Sequence, residues 1–166
     1  MRKFFLGVVL TLVVLAVVMF LLAITGVLSL TADQRPGKVE TYIASGMLDA
    51  NMEHVAPRVT SPVQATDANL VDGMRFYVMN CAVCHGGMDK KVAGLGRGFY
   101  PPAPQLIIHP LDDPEWHIFY AIKHGVRWTG MPAWGKTTSD EDIWKVTMFL
   151  SRAENLPPGV QQLIGK

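Results

Sequence analysis

Cys81-Ala82-Val83-Cys84-His85 constrains this chain more than any other stretch: two thiols two residues apart, then an imidazole directly after the second. That is the attachment signature of a c-type haem. Each thiol adds across one vinyl group of the porphyrin, and the two thioethers pin the ring's edge. The histidine next in line falls beneath the iron and supplies its proximal nitrogen. Covalent attachment lets a small domain hold a haem that it does not deeply enclose. Two plainer readings compete. A structural zinc takes four ligands, and the chain has only two cysteines. A redox dithiol belongs in a βαβ context, and the flanking sequence does not read that way.

The 166 residues leave room for one modest domain and an appendage. Without Arg2 and Lys3 the formal net charge of +1 becomes −1. No basic patch suggests a nucleic-acid partner, and both cysteines are used by the motif, so no structural disulfide is expected.

Phe4 to Leu30 contains no charged residue. As a helix this run would span about 40 Å, enough to cross a tilted bilayer. A cleaved signal peptide is the competing reading, but its apolar region is normally about 7–15 residues long and ends at a small-x-small site. The run here is about twice that length, and Leu30-Thr31-Ala32 is a poor cleavage match, so a retained transmembrane anchor over 1–32 is favoured. Arg2 and Lys3 before the run put the N-terminus in the cytoplasm by the positive-inside rule. The remainder then lies on the periplasmic or outer side of the inner membrane, where haem c is attached.

Residues 33–67 read as a linker, with Pro36, Gly37, Pro57 and Pro62 among charged and small residues. Within it Val39 to His54 has the pattern of a short helix, either a spacer or a docking segment for a partner, since Tyr42, Ile43, Met47, Leu48 and Met52 are costly to leave wet.

The haem domain is expected over 68–156. Thr66 or Asp67 caps a first helix, Asn69 to Asn80, with Val71, Met74 and Val78 on one stripe and Phe76 and Tyr77 beside it. A Gly- and Lys-rich loop follows the motif, and then Tyr100-Pro101-Pro102-Ala103-Pro104 forces extended backbone. The carbonyl of Pro102 or Pro104 is the expected acceptor for the second ring proton of His85. Asp112 or Asp113 caps a helix closed by Gly125, whose Trp116, Phe119, Tyr120 and Ile122 supply bulk against the ring. His117 and His124 on that helix read as solvated or dipole-compensating.

Gly130-Met131-Pro132-Ala133-Trp134 is the second diagnostic feature. A thioether sulfur is a soft ligand that suits haem iron and raises its potential. Met131 lies 46 residues beyond His85, enough chain to cross to the other haem face. Met74, Met79 and Met148 read as core filler, and Met88 is too near the proximal motif. Ser139 caps a last helix with Ile143, Val146, Thr147 and Leu150 inward and Trp144 and Phe149 at its margins. Its packing would bring Phe149 near Phe76 or Tyr77. Residues 157–166 read as a poorly ordered tail.

Together these pieces resemble a class I cytochrome c, over Asn69 to about Leu156. The resemblance implies an all-α fold with crossed terminal helices, here behind a transmembrane helix. It implies one covalent haem c on Cys81 and Cys84, with His85 as proximal and Met131 as distal ligand, and single-electron transfer. The Trp-bearing methionine loop is most similar to mono-haem domains of respiratory and dehydrogenase complexes. With both axial positions filled, no substrate site remains, so the expected role is electron carrier rather than enzyme. Expected partners are the membrane and donor and acceptor proteins, in a respiratory or other electron-transfer complex. Tyr100, Arg127 or Trp128 would border the contact surface. The alternatives are a haem enzyme or gas sensor with a displaceable sixth ligand, and a structural subunit with a vestigial haem.

Overall fold

The structure is a computed structural model that describes residues 1–27 and 29–164. Two compact units divide the chain, Met1–Gln34 and Arg35–Lys166.

The first unit is dominated by helix α1, Arg2–Ile24, whose 23 residues bury none of their side chains. A mean hydropathy of 3.1 over its most apolar 18 residues and a length of about 35 Å, at roughly 1.5 Å per residue, make it a possible single membrane span. The helix stops short of Leu30, because the backbone turns out of it at Gly26, whose φ of +68° favours glycine. Leu28, within the apolar run, lies outside the described residues.

In the second unit come α2 (Lys38–Val55), α3 (Asp67–Asn80), the short α4 (Ala82–His85), α5 (Glu115–His124), α6 (Asp140–Leu150) and α7 (Pro158–Ile164). Short 3-10 turns lie at Leu95–Gly98 and Trp134–Lys136, and the described residues contain no strand. The fold is all-α, as expected.

Helices α3 and α6 form the centre. Thr66 caps α3, its hydroxyl oxygen accepting from the Asn69 N–H at 3.3 Å, and Ser139 caps α6 by accepting from Asp142 at 3.1 Å. The two meet where Gly73 has no side chain. A Cβ there would overlap the backbone carbonyl of Lys145, so only glycine permits this approach. Beyond the crossing, Tyr77 and Phe149 pack with ring centroids 5.7 Å apart. The inward face of α3 is therefore Leu70, Gly73, Met74 and Tyr77, while Val78 is exposed. A stripe through Val71 and Val78 misses this rotation, because the closest contact falls on a glycine, which carries no hydrophobic signal. Helix α6 is buried on nearly all sides, with Trp144 and Phe149 in the core rather than at its margins.

Three further expectations are corrected. No aspartate side chain caps α5, whose N-cap is Pro114. The tail contributes α7 and buries Val160 against the core, so it is not loose over its described length; Gly165 and Lys166 lie outside the described residues. The short helix expected within the linker is α2, and it packs on α5 within the same unit rather than standing free as a spacer.

Candidate haem site

Helix α3 delivers the chain directly into the attachment motif, since Cys81 both caps α3 and starts the single turn of α4. The Cys84 and His85 amides return to the Cys81 carbonyl at 3.0 and 2.9 Å, so one helical turn sets the spacing of thiols and imidazole. Cys81 is buried and Cys84 half-buried. Burial, and secondarily the neighbouring Cys84, pushes the Cys81 thiol up to about 12. A thioether at that position has no ionisable proton, and the desolvation of a thiolate does not arise.

The backbone of His85 is held from both sides. Its carbonyl accepts from the Leu106 amide at 3.0 Å and from the Tyr77 hydroxyl at 3.1 Å, and the same hydroxyl lies 2.6 Å from the Gly86 carbonyl. The ring is held as well: Nδ1 lies 2.8 Å from the Pro104 carbonyl. A carbonyl only accepts, so Nδ1 carries the proton and Nε2 keeps its lone pair. Of the two prolines expected to supply this contact, it is Pro104.

Gln105 ties the motif to the proline segment. Its amide donates to the carbonyls of Cys84 and Ala103 at 3.1 and 3.0 Å, and its oxygen accepts from the Ala93 N–H at 2.7 Å.

The methionine loop is closed on itself. The Thr129 hydroxyl donates to the Val126 carbonyl at 2.7 Å and accepts from the Met131 N–H at 3.1 Å. The Val126 amide in turn reaches the Met131 carbonyl at 3.2 Å. Gly125 starts the loop at φ +68°, and a Cβ there would come within 2.7 Å of the Met131 carbonyl oxygen. Trp134, just beyond the loop, meets Phe76 of α3 edge-on at 5.6 Å. The loop is thus pinned at both ends.

Cys81, Cys84, His85 and Met131 all line one cavity of about 500 Å³. Its other walls are chiefly apolar: Phe99 and the proline segment, Ile118 and Ile122 of α5, and Leu150. Both the size and an apolar lining with a few convergent donor atoms suit a bound cofactor, and this donor set of two thiols, one oriented imidazole and one thioether fits a covalently held haem.

Not every expected residue takes its expected place. Phe119 stacks on Trp144 at 4.1 Å and Trp116 lies beneath the Arg58 guanidinium, so α5 presents His117, Ile118, Ala121 and Ile122 to the cavity. His117 is buried, not solvated. The Tyr100 hydroxyl donates to Glu40 of α2 at 2.6 Å, an interaction that also raises the Tyr100 pKa. Of the three cavity residues that α2 supplies, Leu48 and Met52 were expected only to need cover, and Asp49 lay outside every sequence argument. Tyr77 could have been singled out, because a tyrosine four residues before the motif on a buried helix must satisfy its hydroxyl. No comparable signal marks Gln105 or Asp49.

A helical domain that folds an apolar cavity around its own attachment motif is of the c-type cytochrome class. Within that class, residues 68–150, half of the chain, match the family described as cytochrome c oxidase, cbb3-type, subunit III, and the chain belongs to this family. No curated protein matches the chain. Membership makes covalently bound haem c the cofactor and haem-based electron transfer the function at its broadest.

Proposed function

We propose that this chain is a membrane-tethered, single-haem electron carrier in which His85 and Met131 would hold the haem iron, tethered by α1 with its haem domain outside the inner membrane. One observation carries the reading: an imidazole with its lone pair freed by Pro104 shares an apolar cavity with a thioether on a self-closed loop. Bound there, haem supplies reversible one-electron chemistry at its iron. The chain does the rest. Cys81 and Cys84 hold one edge, Pro104 fixes the proximal ring, and Thr129 and Gly125 hold the sulfur of Met131 in reach. The apolar walls keep water out, which favours the less charged reduced form. Trp128, 82% exposed with Arg127 over its ring at 5.7 Å, offers a contact surface to a redox partner. The family description names an oxidase subunit; on that basis we place this chain's partners among the redox subunits of a membrane oxidase complex, where it passes electrons without catalysing turnover itself.

The test is spectroscopic. The oxidised holoprotein should show the methionine–iron charge-transfer absorbance, and the reduced protein should resist carbon monoxide. Met131→Ala should lose the band and bind carbon monoxide readily. Carbon monoxide binding by the unaltered protein would instead favour a haem enzyme or gas sensor.

A further inference from the structure

One ionisable group on the cavity wall has no part in holding the haem. His117 of α5 has a side chain only a tenth exposed, and its Nε2 has no hydrogen-bond partner among the described residues. Carboxylates flank it on both sides just beyond hydrogen-bond distance. Glu53 Oε1 of α2 lies 3.5 Å from Nε2, and Asp113 Oδ1 lies 3.7 Å from Nδ1. A buried neutral imidazole normally satisfies its nitrogens. This one is placed to carry a proton between two negative charges.

We propose that His117 is a proton site coupled to electron transfer, so that the protein gains a proton at His117 when it is reduced and releases it when it is oxidised. The inference rests on the electron-carrier reading above. Oxidation adds one positive charge to the cavity that His117 lines, and an imidazolium in its wall is then disfavoured. By linkage, protonation must favour the reduced form by the same factor. The balance is one electron passed to the redox partner and up to one proton passed from Nε2 to water. Glu53 provides the way out, because it touches the imidazole yet is about half exposed.

The other charged groups around α5 leave this arrangement undisturbed. From α2, Asp49 lines the same cavity and adds negative charge. Arg58 is turned to Glu53 at 2.7 Å and lies over Trp116. On α5 itself, Glu115 pairs with Arg152, and Lys123 pairs with Asp140 of α6. Lys145 of α6 is taken by Glu141 and Asp72, and Lys136 of the 134–136 turn is exposed. Two carboxylates therefore face His117 directly, and one of them, Glu53, also pairs with Arg58.

The experiment is a spectroelectrochemical titration of the full-length holoprotein in detergent. Its midpoint potential should fall along one sloping segment of the profile as pH rises. A charge across such a cavity changes proton affinity about tenfold at an effective dielectric near 20, which for one electron is about 59 mV in all. His117→Gln should flatten the profile. Glu53→Gln, which removes a stabilising charge, should move the sloping segment to lower pH. A flat profile in the unaltered protein overturns the proposal, and so does an unchanged slope in His117→Gln. Should His117→Gln fail to incorporate haem, an unmoved slope in Glu53→Gln overturns it alone. A flat but reversible one-electron wave leaves the carrier reading intact, whereas no reversible wave at any pH removes that reading itself.

Discussion

At Tyr77 a single hydroxyl serves two carbonyls at the turn that carries His85, from a side chain with no solvent exposure. Tyr77→Phe keeps the ring and its packing on Phe149 but leaves the Gly86 carbonyl without this donor. The expected cost is about 1–3 kcal/mol, read from urea denaturation of the holoprotein. The same residue sets a pH dependence. Burial raises the Tyr77 phenol well above its ordinary value. The unfolded chain ionises this phenol near pH 10 while the folded one does not. Stability is then fully present below about pH 10 and declines above it, as the unfolded state loses its proton first. In Tyr77→Phe that share of the alkaline decline should vanish, which a comparison of the two denaturation profiles checks.

At the scale of elements, the crossing of α3 and α6 determines where the motif lands. Gly73 sets the depth of that crossing, and Cys81 lies two turns further along the same helix. Gly73→Ala should force the helices apart at a cost of about 1–3 kcal/mol or more, seen as a lowered midpoint of thermal unfolding. Such a shift would also carry the attachment turn with it, so the visible spectrum should broaden before the domain unfolds. Helix α2 belongs at this scale too. Its Leu48 and Met52 complete the cavity, whereas Val39, Tyr42, Ile43 and Met47 face outward. Periodicity reveals such a helix from sequence, but not which of its two apolar faces the domain takes.

For the molecule as a whole, the division at Gln34 separates a bare apolar helix from a unit with its own core. A chain beginning at Arg35, matured with haem, should be soluble and keep the optical spectrum of the full-length protein. The full-length chain should instead fractionate with membranes and need detergent for extraction. Loss of the haem spectrum in the shortened chain would show that α1 takes part in the site, contrary to this expectation.

Much of the site was legible because its chemistry is local. One helical turn contains both thiols and the imidazole, so Cys81, Cys84 and His85 are read from five consecutive residues. Met131 was legible from its proline-flanked setting, and the caps at Thr66 and Ser139 from the residues that follow them. The carbonyl that orients His85, the α2 wall of the cavity, the burial of His117 and the docking of α7 were decided only by tertiary structure. Each depends on which face of a helix meets which neighbour at long sequence separation. Short-range patterns fix which residues share a face, and only packing chooses the partner.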